Sequence, residues 1–317
     1  MGANMNELMI INGNISTIED KNLSNLIDQF IYFLDVKPNS RATYKRNLKQ
    51  FFIYLQDQGI EEPTKQDIIN YRDDLKKRLK ATTVQNYLNT VKAFFEFLEY
   101  KGIYKNVAKK VKQPKVSSNH KKDPLSVYDI REIIKGFDED NIKSKRDKAI
   151  FLTTLTGGLR TIEIVRADIG DIRQIGNITV LYVQGKGRDD KEEFIKLEDH
   201  TLKAIREYLK TRGNVKNDDP LFTSLSPNSA GERLTTRSVS RVIKDLYRSI
   251  GLDSERITAH SLRHTAVTLD LLSGNDFRAT KQFARHKNLA TTEIYSHNLD
   301  RLQGQSENNI ARAIFEF

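Results

Sequence analysis

The feature that most constrains this chain is an apolar stripe. Across TTVQNYLNTVKAFFEFLEYKG, residues 82–102, apolar side chains recur at Val84, Tyr87, Leu88, Val91, Phe94, Phe95 and Leu98. That is the rhythm of a helix that buries one broad face, and such a face needs partners. The preceding chain supplies them. RATYKRNLKQFFIYLQDQ, introduced by Asn39-Ser40, carries Tyr44, Leu48, Phe51, Phe52 and Leu55 at the same spacing before Gly59 closes it. Thr64, with Asp67 three residues on, reads as an N-cap ahead of IINYRDDLKKR. With Leu23–Leu34 in front, residues 23–108 are expected to form about four helices in a small bundle. Its aromatics belong in the core rather than on base-stacking platforms.

The pattern then breaks. KKVKQPKVSSNHKK, residues 109–122, has six lysines, a proline and no acid, the composition of an extended basic linker. Beyond it, helices are expected at 126–137, 145–157, 198–212 and 235–250. NITVLYVQGKGRDDKEEFIKL, residues 177–197, reads as two strands joined through a Gly-Lys-Gly turn. Everything after Thr258 reads as short helical pieces. The fold class is therefore mainly α with a small antiparallel β-sheet (α+β). Its parts are an N-terminal extension at 1–22, a helical domain at 23–108, a linker at 109–124 and a second domain at 125–317.

Charge separates the two halves. The 317 residues carry a net +10. Lys21–Lys122 holds 21 Lys plus Arg against 10 Asp plus Glu, whereas the chain from Asp123 onward holds 31 against 29. A basic first domain beside a balanced second one suits a polyanion such as nucleic acid, or else a solvated, lysine-rich helical surface. No apolar run approaches the ~18 residues of a membrane span. The opening MGANMNELMIINGN lacks the pattern of a signal peptide. The absence of cysteine excludes disulfides and thiolate chemistry and fits a reducing compartment. A cytoplasmic protein is expected, with no membrane partner.

ITAHSLRHTAV, residues 257–267, sets His260 and His264 four residues apart on one helix face, a spacing that metal sites use. Yet Arg263 directly precedes His264, and Arg285 directly precedes His286. Guanidiniums repel a divalent cation and bind an anion such as phosphate through a planar fork. No metal and no cofactor is expected. TGGLRTIEI adds Arg160 behind a Gly-Gly approach, with Glu163 spaced to hold its guanidinium. Lys186 stands at the hairpin tip, able to reach into a groove.

Taken in order, TGGLRTIE, the hairpin GKG, HSLRHT and ARHKNLATTEIYSH closely resemble the tyrosine recombinase and phage-type integrase family, of Xer-like or transposon-integrase kind. The likeness spans nearly all of residues 23–300. The family signature falls on Arg160 with Glu163 in support, on Lys186, on His260 with Arg263, on His286 and on Tyr295. The resemblance implies a two-domain DNA clamp made of a SAM-like core-binding domain and a catalytic domain. Tyr295 would attack the scissile phosphate and form a 3′-phosphotyrosine, without metal or ATP. His260 would accept the phenolic proton and Lys186 would protonate the departing 5′ oxygen. Arg160, Arg263 and His286 would hold the phosphate oxygens.

The family further implies double-stranded DNA with inverted half-sites, a dimer on each site, and a tetramer in the synapse that resolves a Holliday junction. The apolar face of NNIARAIFEF (Ile310, Ala311, Ile314, Phe315) would dock on a neighbouring protomer. Accessory DNA-bending proteins or a partner recombinase, and a bacterial, nucleoid-associated location, belong to the same expectation. His264 is expected to pack rather than react, and His297 to position the tyrosine segment. One departure stands out: Arg285 occupies the place where the family usually has glycine. Two rivals stay open at this stage, a type IB topoisomerase and a DNA-binding protein that retains the fold without cleavage.

Overall fold

The computed structural model describes residues 21–116, 123–185 and 187–286. The chain divides between Ser117 and Ser118 into two compact units. Among its described residues the first is built of helices: α1 (Lys21–Phe33), α2 (Pro38–Asp57), α3 (Lys65–Arg78) and α4 (Ala81–Tyr100). α2 and α4 each end two residues before the glycine that the sequence nominated as their stop. Asn39-Ser40 does not cap α2. The helix starts at Pro38 behind Lys37, because proline's fixed φ already suits a first helical turn. Thr64 does cap α3, its backbone N–H and hydroxyl both donating to the Asp67 carboxylate at 2.8 and 2.6 Å.

The stripes meet in one aromatic core. Phe30, Phe51, Tyr71, Phe94 and Phe95 are fully buried there with Leu48, Val84, Leu88, Val91 and Leu98. Phe30 meets Phe94 edge-on at 5.3 Å, and Phe51 meets Phe95 at 6.1 Å, the geometry aromatic quadrupoles favour. Val111, inside the segment read as linker, is buried in this same core.

The second unit carries α5 (Val127–Lys135), α6 (Ile142–Thr156), α7 (Thr161–Arg166), β1 (Ile172–Ile175), β2 (Ile178–Val183), β3 (Glu193–Lys196), α8 (Asp199–Lys210), α9 (Thr236–Ser249), α10 (Ala259–Leu272) and α11 (Phe277–Ala284). The sheet is antiparallel in the order β1-β2-β3, with Ile175 opposite Ile178 and Leu181 opposite Ile195. Two strands were expected, and β1 is the addition. Its four residues are mostly exposed, so it shows no apolar alternation. The legible signal was Gly176-Asn177, which closes the two-residue hairpin with Gly176 at φ +59°.

α6 is the spine of this unit. Residues 149–155 are buried all round, and the hydroxyls of Thr153 and Thr154 are satisfied by donating back to the carbonyls of Ala149 and Ile150 at 2.6 and 2.7 Å. Asn141 caps it, accepting from the Ser144 N–H at 3.1 Å, which starts the helix three residues earlier than expected. The base of the β2–β3 hairpin is pinned by charge. Lys191 donates to Asp168 and Asp171 at 2.6 and 2.5 Å, and Arg233 also pairs with Asp168.

Two tests follow from this packing. Phe94→Ala should cost the helical unit about 3–5 kcal/mol in urea unfolding followed by circular dichroism, and a loss below about 1 kcal/mol would contradict the packing. Burial pushes the Asp168 carboxyl up, but hydrogen bonds from Lys191 and Arg233 prevail and hold it below the usual carboxylate range. A depressed folded pKa stabilises the protein above the unfolded value of about 3.9 and stops doing so as pH falls through the folded value. Asp168→Asn should therefore cost about 1–2 kcal/mol near neutral pH, and should flatten the decline in stability seen in acid. An unchanged acid slope would refute the role of this cluster.

Candidate active site

The site grows from the C-terminus of α6. Gly157 has no room for a side chain, since a Cβ there would lie 2.9 Å from the Thr153 carbonyl oxygen, and Gly158 turns at φ +55° against the Phe283 ring. This tight turn delivers Arg160, in extended conformation, to the N-cap of α7. Glu163, in the first turn of α7, is 1% exposed and accepts from both the backbone N–H and Nη1 of Arg160 at 2.9 Å each. The Arg160 side chain retains 26% exposure, so its guanidinium is fixed at the edge of the protein rather than sealed within it.

α10 supplies the second arginine. Thr258 caps the helix, its N–H donating to the Ser261 hydroxyl at 3.0 Å. His260 is exposed on the first turn. One turn on, Arg263 is buried and donates to the carbonyls of Gly158 and Ala284. It thereby ties the glycine turn to the end of α11. His264 is buried, with Nδ1 hydrogen-bonded to the Thr268 hydroxyl at 3.2 Å. The two histidines therefore differ in environment despite their i,i+4 spacing, and His264 packs as expected.

α11 ends in a Schellman turn. The Arg285 N–H donates to Gln282 O at 3.0 Å and the His286 N–H to Lys281 O at 3.1 Å, with Arg285 left-handed at φ +52°. His286, just past that turn, is buried. The Arg285 side chain turns inward. Nη2 reaches the Gly157 and Gly158 carbonyls at 3.0 and 3.2 Å and lies 3.5 Å from Glu163 Oε2. Burial pushes this guanidinium's pKa down, opposed by the Glu163 charge.

Arg160, Glu163, Arg263 and His286 thus converge on one glycine turn and one helix end, with His260 one turn before Arg263 on α10. Lys186 and Tyr295 lie outside the described residues, as do His297 and the C-terminal apolar segment. Gly185, the residue before Lys186, is tied to α7, its carbonyl accepting from Arg166 at 3.2 Å. An open cleft of about 840 Å³ borders the site, with Thr156, Gly157, Ile195, Arg285 and His286 among its lining. Arg285 and Arg166 are the contributions that sequence reasoning did not place. Arg285 was visible as a guanidinium beside His286 and as a departure from pattern, not as a partner of Glu163, and Arg166 carries no signal of its own. Three guanidiniums share the Glu163 carboxylate and its neighbouring carbonyls, and that excess of fixed positive donors favours a tetrahedral oxyanion over a cation.

The comparisons place the chain in a family. Residues 123–301 match the model of the phage integrase family, and residues 27–102 match the phage integrase N-terminal SAM-like domain. The chain is 30% identical over 277 residues to tyrosine recombinase XerC of Pelobacter propionicus, covering 84% of this chain and 88% of that protein. It is 27% identical over 292 residues to tyrosine recombinase XerD of Listeria innocua, covering 87% and 94%. Among solved structures, the fold is similar to XerH site-specific recombinase in a post-cleavage complex with palindromic difH substrate, with TM-score 0.71, 19% identity and coverage of 97% and 93%. It is also similar to the Tn1549 transposon integrase bound to transposon right-end DNA, with TM-score 0.65, 19% identity and coverage of 88% and 98%. This chain belongs to the phage integrase family and is a tyrosine-type site-specific recombinase.

Proposed function

We propose that the enzyme cleaves duplex DNA at a site of two inverted half-sites, with residues 23–108 as core-binding domain, 109–124 as linker and 125–317 as catalytic domain. Tyr295 Oη attacks the scissile phosphorus and the P–O5′ bond breaks. The strand is left as a 3′-phosphotyrosine with a free 5′ hydroxyl. A phenol with a pKa near ~10 needs a proton acceptor, and His260, exposed one turn before Arg263, serves. Lys186 gives its proton to the leaving 5′ oxygen. Arg160, Arg263 and His286 neutralise the charge that builds on the non-bridging oxygens, work that preorganised donors do without reorganising during the reaction. The phosphotyrosine keeps the bond energy, so rejoining to a second strand needs no ATP.

The observation that carries this reading is the hold of Glu163 on Arg160. A carboxylate 1% exposed accepts two bonds from the arginine whose guanidinium remains partly open to solvent. Such a pair preorganises an anion ligand. Two protomers would occupy one site and four would form the synapse, exchanging strands through a Holliday junction. The segment containing Ile310 and Ile314 would couple neighbours, and accessory or partner recombinase proteins would direct the outcome. The palindromic substrate of XerH supports the inverted half-sites, and action at the bacterial nucleoid in the cytoplasm belongs to the same proposal.

The test uses nicked suicide duplexes with randomised half-sites in EDTA. The wild type should form an SDS-resistant adduct, and sequencing the trapped DNA should return an inverted repeat. Tyr295→Phe should form none while still retarding DNA; recombination by that variant would refute the nucleophile. Glu163→Gln should slow single-turnover cleavage about 10–100-fold with DNA affinity little changed. A wild-type rate would remove Glu163 from the account.

A further inference from the structure

We infer that Arg285 is a positioning residue that braces both arginines of the phosphate site from behind. This rests on reading Arg160 and Arg263 as phosphate ligands. Arg285 occupies the C′ position of the Schellman turn ending α11 with a left-handed φ of +52°, a conformation that glycine adopts freely and a long side chain does not. A residue held in such a conformation persists when its surroundings compensate, and such positions gather at functional sites. Here the compensation is visible. The side chain is 8% exposed. Nη1 donates to Phe283 O at 2.9 Å, and Nη2 serves the carbonyls of Gly157 and Gly158 and leans on Glu163 Oε2.

Each of those partners holds a phosphate-site residue. Gly158 O is also an acceptor for Arg263, and Ala284 O, the other acceptor of Arg263, belongs to the residue preceding Arg285. Glu163 is the carboxylate that fixes Arg160. Arg285 therefore joins the α6 turn, the Glu163 carboxylate and the end of α11 in one bonded unit, and His286 leaves that unit as the next residue. Glycine at 285 would make the same turn with less strain and would bring none of the donors. Without them, the loop bearing Arg160 and the helix end preceding His286 lose the links through Gly157 O, Gly158 O and Glu163 that Arg285 makes.

Backbone and side-chain roles predict opposite effects for Arg285→Gly, which makes the proposal testable. On a duplex recovered by the suicide selection, melting temperature, DNA affinity and single-turnover cleavage are measured for wild type, Arg285→Gly, Arg285→Asn and Arg285→Lys. Asparagine also tolerates the left-handed region, and covers the case of a glycine variant that fails to fold.

Arg285→Gly should melt at or above the wild-type temperature and bind DNA equally, yet cleave about tenfold or more slowly. Millimolar guanidinium ion should restore part of that rate while equal sodium does not. Arg285→Asn should share the defect. Arg285→Lys, charged but without a planar fork, should fall between. Cleavage by Arg285→Gly at the wild-type rate, or a defect that guanidinium leaves untouched, would overturn the proposal. Failure of the wild type itself to form an adduct would instead overturn the reading of the site.

Discussion

The buried carboxylate of Glu163 is the interaction on which the rest of the site depends. It accepts from the backbone and side chain of Arg160 and lies against Arg285, while the adjacent Gly158 carbonyl takes Arg263 and Arg285 together. Guanidiniums brought this close repel one another, and the shared carboxylate and carbonyl dipoles offset that repulsion. The balance remains positive, which is what binding an anion requires. Under the proposed mechanism, such a site would achieve with fixed nitrogen donors what other phosphoryl-transfer enzymes achieve with divalent cations.

The second unit is arranged to make that convergence rigid. α6 is buried along residues 149–155, so its C-terminus is among the least mobile points available, and the chain turns there through two glycines. Gly157 admits no Cβ and Gly158 requires a positive φ. A larger residue at either would displace Arg160. α7, α10 and α11 then meet this turn from different directions. The left-handed Arg285 costs about 1 kcal/mol against glycine, and its side-chain bonds offset that cost.

Much of this was legible in the sequence because it rests on local rules. The helical bundle followed from apolar spacing; Val84, Leu88, Val91, Phe94, Phe95 and Leu98 are in its core and Tyr87 packs against it. The pairing of Arg160 with Glu163 followed from three-residue spacing at a helix start. What escaped was non-local or weakly patterned. β1 is four exposed residues with no alternation, and only its Gly-Asn turn spoke for it. The start of α2 was placed at Asn39-Ser40 because polar residues are common caps, whereas the helix begins at Pro38, whose fixed φ suits the first helical position. Arg285 looked like a bulky intrusion, for nothing in the string shows that it reaches Gly157 and Glu163, more than 120 residues back. Residues brought together by tertiary closure leave no periodic trace.

The claim at the centre is that Arg160, Arg263 and His286, held at the glycine turn and the Glu163 carboxylate, form a phosphate site served by a tyrosine nucleophile. The most direct measurement is peptide mapping of the covalent protein–DNA adduct formed by the full chain in EDTA. The account predicts a single phosphotyrosine, at Tyr295, joined to the 3′ phosphate of the cleaved strand. An adduct on any other residue, or cleavage that appears only when a divalent cation is added back, would contradict it.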